Sequence, residues 1–106
     1  MYKPLPESVT IKQSGINGLG LFAEQAIMVG TNLGMTHLKI AEQIIRTPLG
    51  GFINHSNEPN AVKVELLMTN QFNVKHQYDY KKWNLITLRD IKKGEEITLR
   101  YTFYNI

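Results

Sequence analysis

Short alternating runs dominate the hydrophobic pattern of this chain. In SVTIKQ (8–13), Val9 and Ile11 alternate with polar neighbours, which predicts a strand. Gly15, Asn17, Gly18 and Gly20 then demand a tight turn, after which LFA (21–23) resumes an extended path. Residues 28–32 read as a second turn and 33–38 as a strand. One segment departs from this rhythm: KIAEQIIR (39–46) spaces Ile40, Ile44 and Ile45 for one face of a helix, stopped at Thr47-Pro48.

Farther on, AVKVELLM (61–68) alternates Val62, Val64 and Leu66 with other residues and reads as a strand. NQFNVKHQYDYKK (70–82) is polar without a clean period, a hairpin or loop. WNLITLRD (83–90) reads as a strand and DIKKGE (90–95) as a turn. EITLRYTF (96–103) reads as a last strand with Ile97, Leu99 and Tyr101 on one face. No repeat or low-complexity tract interrupts the chain. The pattern predicts a compact, mostly β domain with one short helix.

Composition changes this picture little. The 106 residues suit one domain, and 42% hydrophobic against 20% charged residues is an ordinary globular balance. With no cysteine, a disulfide framework and any Cys-based zinc site are excluded. No apolar run is long enough for a secretory signal or a membrane span, so an intracellular location and no membrane partner are expected. The formal charge of +3 gathers late, in Lys81, Lys82, Arg89, Lys92, Lys93 and Arg100. Such a balance is usually a solvated surface. It leaves a small basic β-rich nucleic-acid binder open as an alternative, with nucleic acid not expected as the direct ligand.

Candidate chemistry sits in three segments. GLGLFA (18–23) lacks the third glycine and following helix of a dinucleotide fingerprint, and no Gly-Lys-Ser/Thr makes it a phosphate loop. It is a plain turn or a bare-backbone loop open to a ligand. In GGFINHSNEPN (50–60), His55 and Ser56 are neighbours in extended chain and point apart, so they form no base–nucleophile pair. His37, His55 and His76 lack metal-ligand spacing, and no metal is expected. In GEEITLRY (94–101), Glu95 and Glu96 face opposite ways, which argues against paired carboxylates.

Order and spacing say more than any one segment. Gly-x-Gly early, Phe-Ile-Asn-His-Ser-x-x-Pro-Asn-Ala in the middle and Leu-Arg-Asp-Ile-Lys-x-Gly-Glu-Glu-Ile-Thr-x-x-Tyr late resemble a SET domain. That is the family of S-adenosylmethionine-dependent protein-lysine methyltransferases. The resemblance runs from about Val9 to Tyr101. It implies a β-clip-like fold of small curved sheets with a C-terminal pseudo-knot joining the middle and last motifs. It further implies that Gly18, Leu19 and Gly20 line the S-adenosyl-L-methionine pocket through their backbone, that Asn54 and His55 hold the cofactor, and that Phe52 and Ile53 position their strand. Tyr101 takes the place of the catalytic tyrosine. Phe103 or Tyr104 would cover the adenine, line the lysine channel, or simply pack. The implied substrate is a lysine-containing protein or peptide, with histone a family expectation.

Departures from the family pattern narrow the resemblance. Asn57 stands where many chromatin-acting relatives carry a zinc-binding Cys, so residues 1–106 read as a single minimal SET domain without pre-SET or post-SET zinc modules. The segment between Leu38 and Gly50 is far shorter than the usual substrate-recognition insert. Little chain follows Tyr101, and Thr36 lies near where a channel tyrosine is common. Such a domain is similar to stand-alone viral and bacterial SET proteins, and a homodimer is expected from that likeness. A degenerate domain that binds cofactor or peptide without turnover, or methylates a small amine, stays open as an alternative.

Overall fold

The computed structural model describes residues 5–40, 43–69 and 79–100. Strand β1 (Val9–Gln13) and strand β2 (Leu19–Ala23) form an antiparallel hairpin in register from Val9 opposite Ala23 to Gln13 opposite Leu19. Its turn closes where Ser14 N donates to the Gly18 carbonyl at 2.7 Å, with Gly18 at φ 46°, a left-handed backbone that favours glycine.

A larger sheet follows. Strand β3 (Asn32–Ile40) turns back into strand β4 (Gln43–Arg46), with Leu38 opposite Ile45 and Ile40 opposite Gln43. The helix expected over 39–46 is therefore a correction: β3 runs through Ile40 and residues 43–46 are extended. Eight residues are too few for a stable helix without strong tertiary support. β-branched isoleucines suit a strand, and pairing with β3 supplies the backbone partners. Ile40, Ile44 and Ile45 all remain largely exposed, so they form no buried helical face.

Pro48, with no N–H to give a ladder, ends β4 and opens a single 3₁₀ turn (Leu49–Gly51), the one helical element among the described residues. Strand β5 (Asn54–His55) is only a pair of residues. Strand β6 (Ala61–Thr69) and strand β7 (Asp79–Thr87) form a long antiparallel hairpin, from Ala61 opposite Thr87 to Thr69 opposite Asp79. The ambiguous segment thus ends in the second arm of a hairpin, and β7 begins four residues ahead of the expected strand at Trp83. Strand β8 (Glu96–Leu99) closes the chain's described part.

The strands order as β1-β2-β8-β5 in one sheet and β4-β3-β7-β6 in the other. Between them lie Leu21, Leu85, Ile91 and Ile97, each at most 1% exposed. Burying each such side chain contributes about 1.5–3 kcal/mol, so this core fixes how the two sheets meet. The consequence for function is the place of β8. It runs antiparallel to β2, with Leu21 opposite Ile97, and parallel to β5, with Asn54 opposite Thr98 and His55 opposite Leu99. A parallel pair needs a long crossover, and here that crossover carries β6 and β7.

Candidate functional site

Three segments distant in sequence meet at β8. Asn54, 8% exposed, turns its side chain toward the first hairpin, where Nδ2 donates to the carbonyls of Asn17 (3.1 Å) and Leu19 (3.3 Å) and to Glu96 Oε2 (2.9 Å). All three partners are acceptors, so only one orientation of the amide fits. Oδ1 is then the atom left to accept from a ligand. Glu96 also accepts from Ser14 Oγ, at 2.7 and 2.9 Å to its two oxygens, and Ser14 Oγ in turn accepts from Ile16 N at 2.9 Å. One carboxylate and one amide thus tie the 14–19 turn, β5 and β8 together.

Gly20 is part of this arrangement. A Cβ there would run into the Glu96 carboxylate, whose Cδ would lie 2.9 Å away. Gly18 is different: nothing lies within 4 Å of a Cβ added there, and Leu19 is half exposed. The loop therefore has a face packed on Glu96 and an open face. Gly20 itself belongs to β2, so the expected loop is the end of a hairpin with its second arm already begun.

The middle motif holds its shape through local bonds. His55 Nε2 lies 3.1 Å from Asn57 Oδ1, and Ser56 Oγ accepts from Glu58 N at 3.0 Å, so the two point to separate partners. Asn60, 2% exposed, spans β8: Nδ2 donates to the Glu96 carbonyl (2.8 Å) while Oδ1 accepts from Thr98 N (2.9 Å). Ile53 is buried, whereas Phe52 is partly exposed. Glu95 turns the other way from Glu96 and pairs with Arg89. That guanidinium's hydrogen bond is the main reason the Glu95 carboxyl sits at about 2, with Lys92 N also donating to it.

On the other face lies a cleft of about 340 Å³ that includes none of Gly18, Leu19, Gly20, Asn54 or His55. Ile53 and Leu99 supply its apolar lining, Gly50 and Gly51 its bare backbone, and His37, Arg46 and Lys63 its ionisable groups. By strand alternation this is the side of β8 that carries Ile97 and Leu99. Gly50 fits against β3 because a Cβ there would meet the Thr36 carbonyl; Gly51 has nothing nearer than Arg46 Nε at 3.9 Å. Thr36, fully buried, donates its hydroxyl proton to the Trp83 carbonyl at 3.1 Å, which leaves its oxygen to accept from His37 Nδ1 at 3.0 Å. Burial, then the nearby Lys63 and Arg46 charges, hold His37 below the usual histidine value. Burial likewise pulls the Lys63 ammonium down.

Of the expected site residues, the structure brings Gly18, Leu19 and Gly20 together with Asn54, while His55 follows in the same short strand and bonds Asn57. Tyr101, Phe103, Tyr104 and His76 lie outside the described residues. Sequence reasoning missed Glu96, Ser14 and Asn60 as the polar ties, and Arg46 and Lys63, gathered beside His37, as a pair of cations. Alternation could separate Glu95 from Glu96 but carried no signal for which one turns inward.

The family model of the SET domain matches residues 35–102, and the chain belongs to the SET-domain family. No curated protein matches it at a significant level of sequence similarity. Among solved structures it is similar to a Plasmodium falciparum protein provisionally assigned as a histone methyltransferase, at 18% identity and a TM-score of 0.66 over 92% of this chain and 96% of that one. It is also similar to the SET domain of the RIZ1 tumour suppressor, at 17% identity and a TM-score of 0.64 over 92% of this chain and 71% of the other. At such identities these likenesses speak to the fold. The mostly β architecture of small sheets is the SET-like one.

Proposed function

We propose that this chain is a methyltransferase that uses S-adenosylmethionine to methylate the side-chain amine of lysine in a protein substrate. Family membership motivates the reading, and the observation that carries it is the meeting of the Gly-x-Gly hairpin, Asn54-His55 and the β8 motif around one amide–carboxylate pair. The residues fit the cofactor. The face at Gly18 and Leu19 is open to a ligand, and Asn54 keeps an acceptor oxygen for a cationic donor such as the cofactor's amino group. When bound, the cofactor supplies an electrophilic methyl group on a sulfonium.

The chain's own work is alignment and charge control. Methyl transfer to an amine asks for in-line positioning and a deprotonated nucleophile. A free lysine, with a pKa near ~10.4, is mostly protonated at neutral pH. Desolvation and nearby positive charge both favour loss of that proton. Tyr101, by the family resemblance, would orient the neutral nitrogen.

Methyl-labelled cofactor mixed with a panel of lysine-rich proteins tests this reading. We expect transfer to protein lysine and a loss of roughly 100-fold or more in Tyr101→Phe. No transfer, or a Tyr101→Phe rate equal to wild type, overturns it. Thermal stabilisation by cofactor without any transfer would instead identify a binding domain.

A further inference from the structure

We propose that the cleft between β3, β4, the 3₁₀ turn, β6 and β8 receives an anionic side chain of the substrate polypeptide, so that the preferred target lysine has an acidic or phosphorylated neighbour. This rests on the protein-lysine reading above and names its substrate class.

Positive charge in the cleft is unmet. Among the described residues, His37, Arg46 and Lys63 are the ionisable groups of the cleft, and no carboxylate lines it. Arg46 lies directly across from His37 in the β3–β4 register, and Lys63 faces the same space from β6. Three cations elsewhere have acceptors: Lys81 pairs with Glu65 at 3.1 Å, Arg89 with Glu95, and Arg100 donates to the Asn57 carbonyl. Among the described residues, Arg46 and Lys63 have no carboxylate partner. Lys63 is half buried, where an uncompensated charge is costly. Two cations without a carboxylate partner around one concave space, one of them half buried, make a place for an anion.

The cleft is also shaped for an extended segment. A Cβ added at Gly51 would meet nothing nearer than Arg46 Nε at 3.9 Å, so there is room beside it, and Ile53 and Leu99 give an apolar wall. That wall belongs to the segments of the middle and last motifs, so an occupant lies across β8 from the proposed cofactor face. Guanidinium and ammonium groups offer charge-assisted hydrogen bonds to carboxylate or phosphate. The same groups repel a lysine flanked by arginines, the pattern of a basic tail. The cleft therefore discriminates by sign as much as by shape.

The test is direct binding, which needs no turnover. Short fluorescein-labelled peptides carry one central lysine flanked by glutamate, phosphoserine, glutamine or arginine, and their anisotropy is read against the purified protein at low salt. Glutamate or phosphoserine flanks are expected to bind at least about tenfold tighter than glutamine, and arginine flanks weakest. Tighter binding of phosphoserine than glutamate would assign a phosphorylated neighbour; the reverse would assign an acidic residue. Arg46→Gln with Lys63→Gln should erase the preference. Arg46→Glu should shift it toward arginine flanks, a gain that misfolding cannot imitate.

Equal binding of all four peptides overturns the proposal, as does tightest binding of the arginine peptide. So does a weakening of S-adenosylmethionine affinity in the Arg46 and Lys63 variants with peptide binding unchanged, because the cleft would then hold the cofactor's carboxylate. Charge preference without methylation of any peptide or protein would keep the anion site and remove the methyltransferase reading. Methylation without charge preference would do the opposite.

Discussion

The two faces of β8 handle polar groups in opposite ways. On the hairpin side, Asn54, Glu96 and Ser14 satisfy one another and two loop carbonyls, and the described residues hold no buried side-chain nitrogen or oxygen without a partner. On the cleft side, Arg46 and Lys63 bring positive charge to a space lined by no carboxylate among the described residues. Satisfied polar networks rigidify what they join; unmet charges lower the stability of the empty protein and raise its affinity for a ligand. The hairpin side is thus a scaffold that shapes a site, and the cleft side is a surface that waits for one.

Removing one member from each face should separate them most clearly. Asn54→Ala strips Glu96 and the Asn17 and Leu19 carbonyls of a shared donor, and a cost of about 2–4 kcal/mol is expected in urea denaturation. Lys63→Gln removes a half-buried charge with no carboxylate partner among the described residues and should leave stability equal to wild type or up to about 1 kcal/mol above it. Similar losses in both variants would break the comparison.

Much of this frame was legible in the sequence, for physical reasons that differ by residue. Val9, Ile11, Ile97 and Leu99 alternate as half-buried strands must, and Gly18 advertises its left-handed turn. Asn54 and His55 stood out through motif order, and the structure joins Asn54 to the loop that the resemblance paired it with. What failed was KIAEQIIR. Its isoleucines satisfy a helical spacing by chance, and only pairing with β3 reveals them as one arm of a hairpin. The cleft was illegible for a related reason: His37, Arg46 and Lys63 come from β3, β4 and β6, and nothing local marks them as neighbours.

The glycines of the two faces sharpen the contrast at a smaller scale. Gly20→Ala pushes a methyl into a Glu96 carboxylate that Ser14 and Asn54 hold in place, and about 1–3 kcal/mol should be lost. Gly51→Ala meets nothing nearer than Arg46 Nε at 3.9 Å and should cost under about 1 kcal/mol. Thermal melts of the two single variants read the difference. A Gly20→Ala protein as stable as Gly51→Ala would show that Glu96 is free to swing, contrary to the tie described above.

Acid should find the cleft before the scaffold. His37 is held below its ordinary 6.5 by burial first, then by Lys63 and Arg46, with Thr36 accepting from its Nδ1. The unfolded chain takes up this proton near pH 6.5 while the folded one still resists. His37 therefore contributes stability that is fully present above pH 6.5 and lost as pH falls through the folded value. Urea midpoints between pH 8 and pH 5 should decline in wild type and decline less in His37→Asn. The same slope in both proteins would remove His37 as the cause.

The smallest expected effect belongs to Glu95, one residue from the buried tie and facing the other way. Its carboxyl is lowered from 4.5 to about 2, first by the hydrogen bond from Arg89. A depressed carboxyl contributes stability that is present above the unfolded value and lost as pH falls from about 4.5 toward about 2. Arg89 is more than half exposed, though, so water and salt screen the pair, and Glu95→Gln should cost less than about 1 kcal/mol at neutral pH. In molar salt, where the Debye length shrinks to about 3 Å, the difference between variant and wild type should narrow. Glu96→Gln, measured beside it, should lose more and keep its deficit in salt, because that carboxylate is held by Ser14 and Asn54 inside a hydrogen-bonded tie. Adjacent glutamates with different salt responses are what a strand entry should give when one side chain is tied inside and its neighbour reaches solvent.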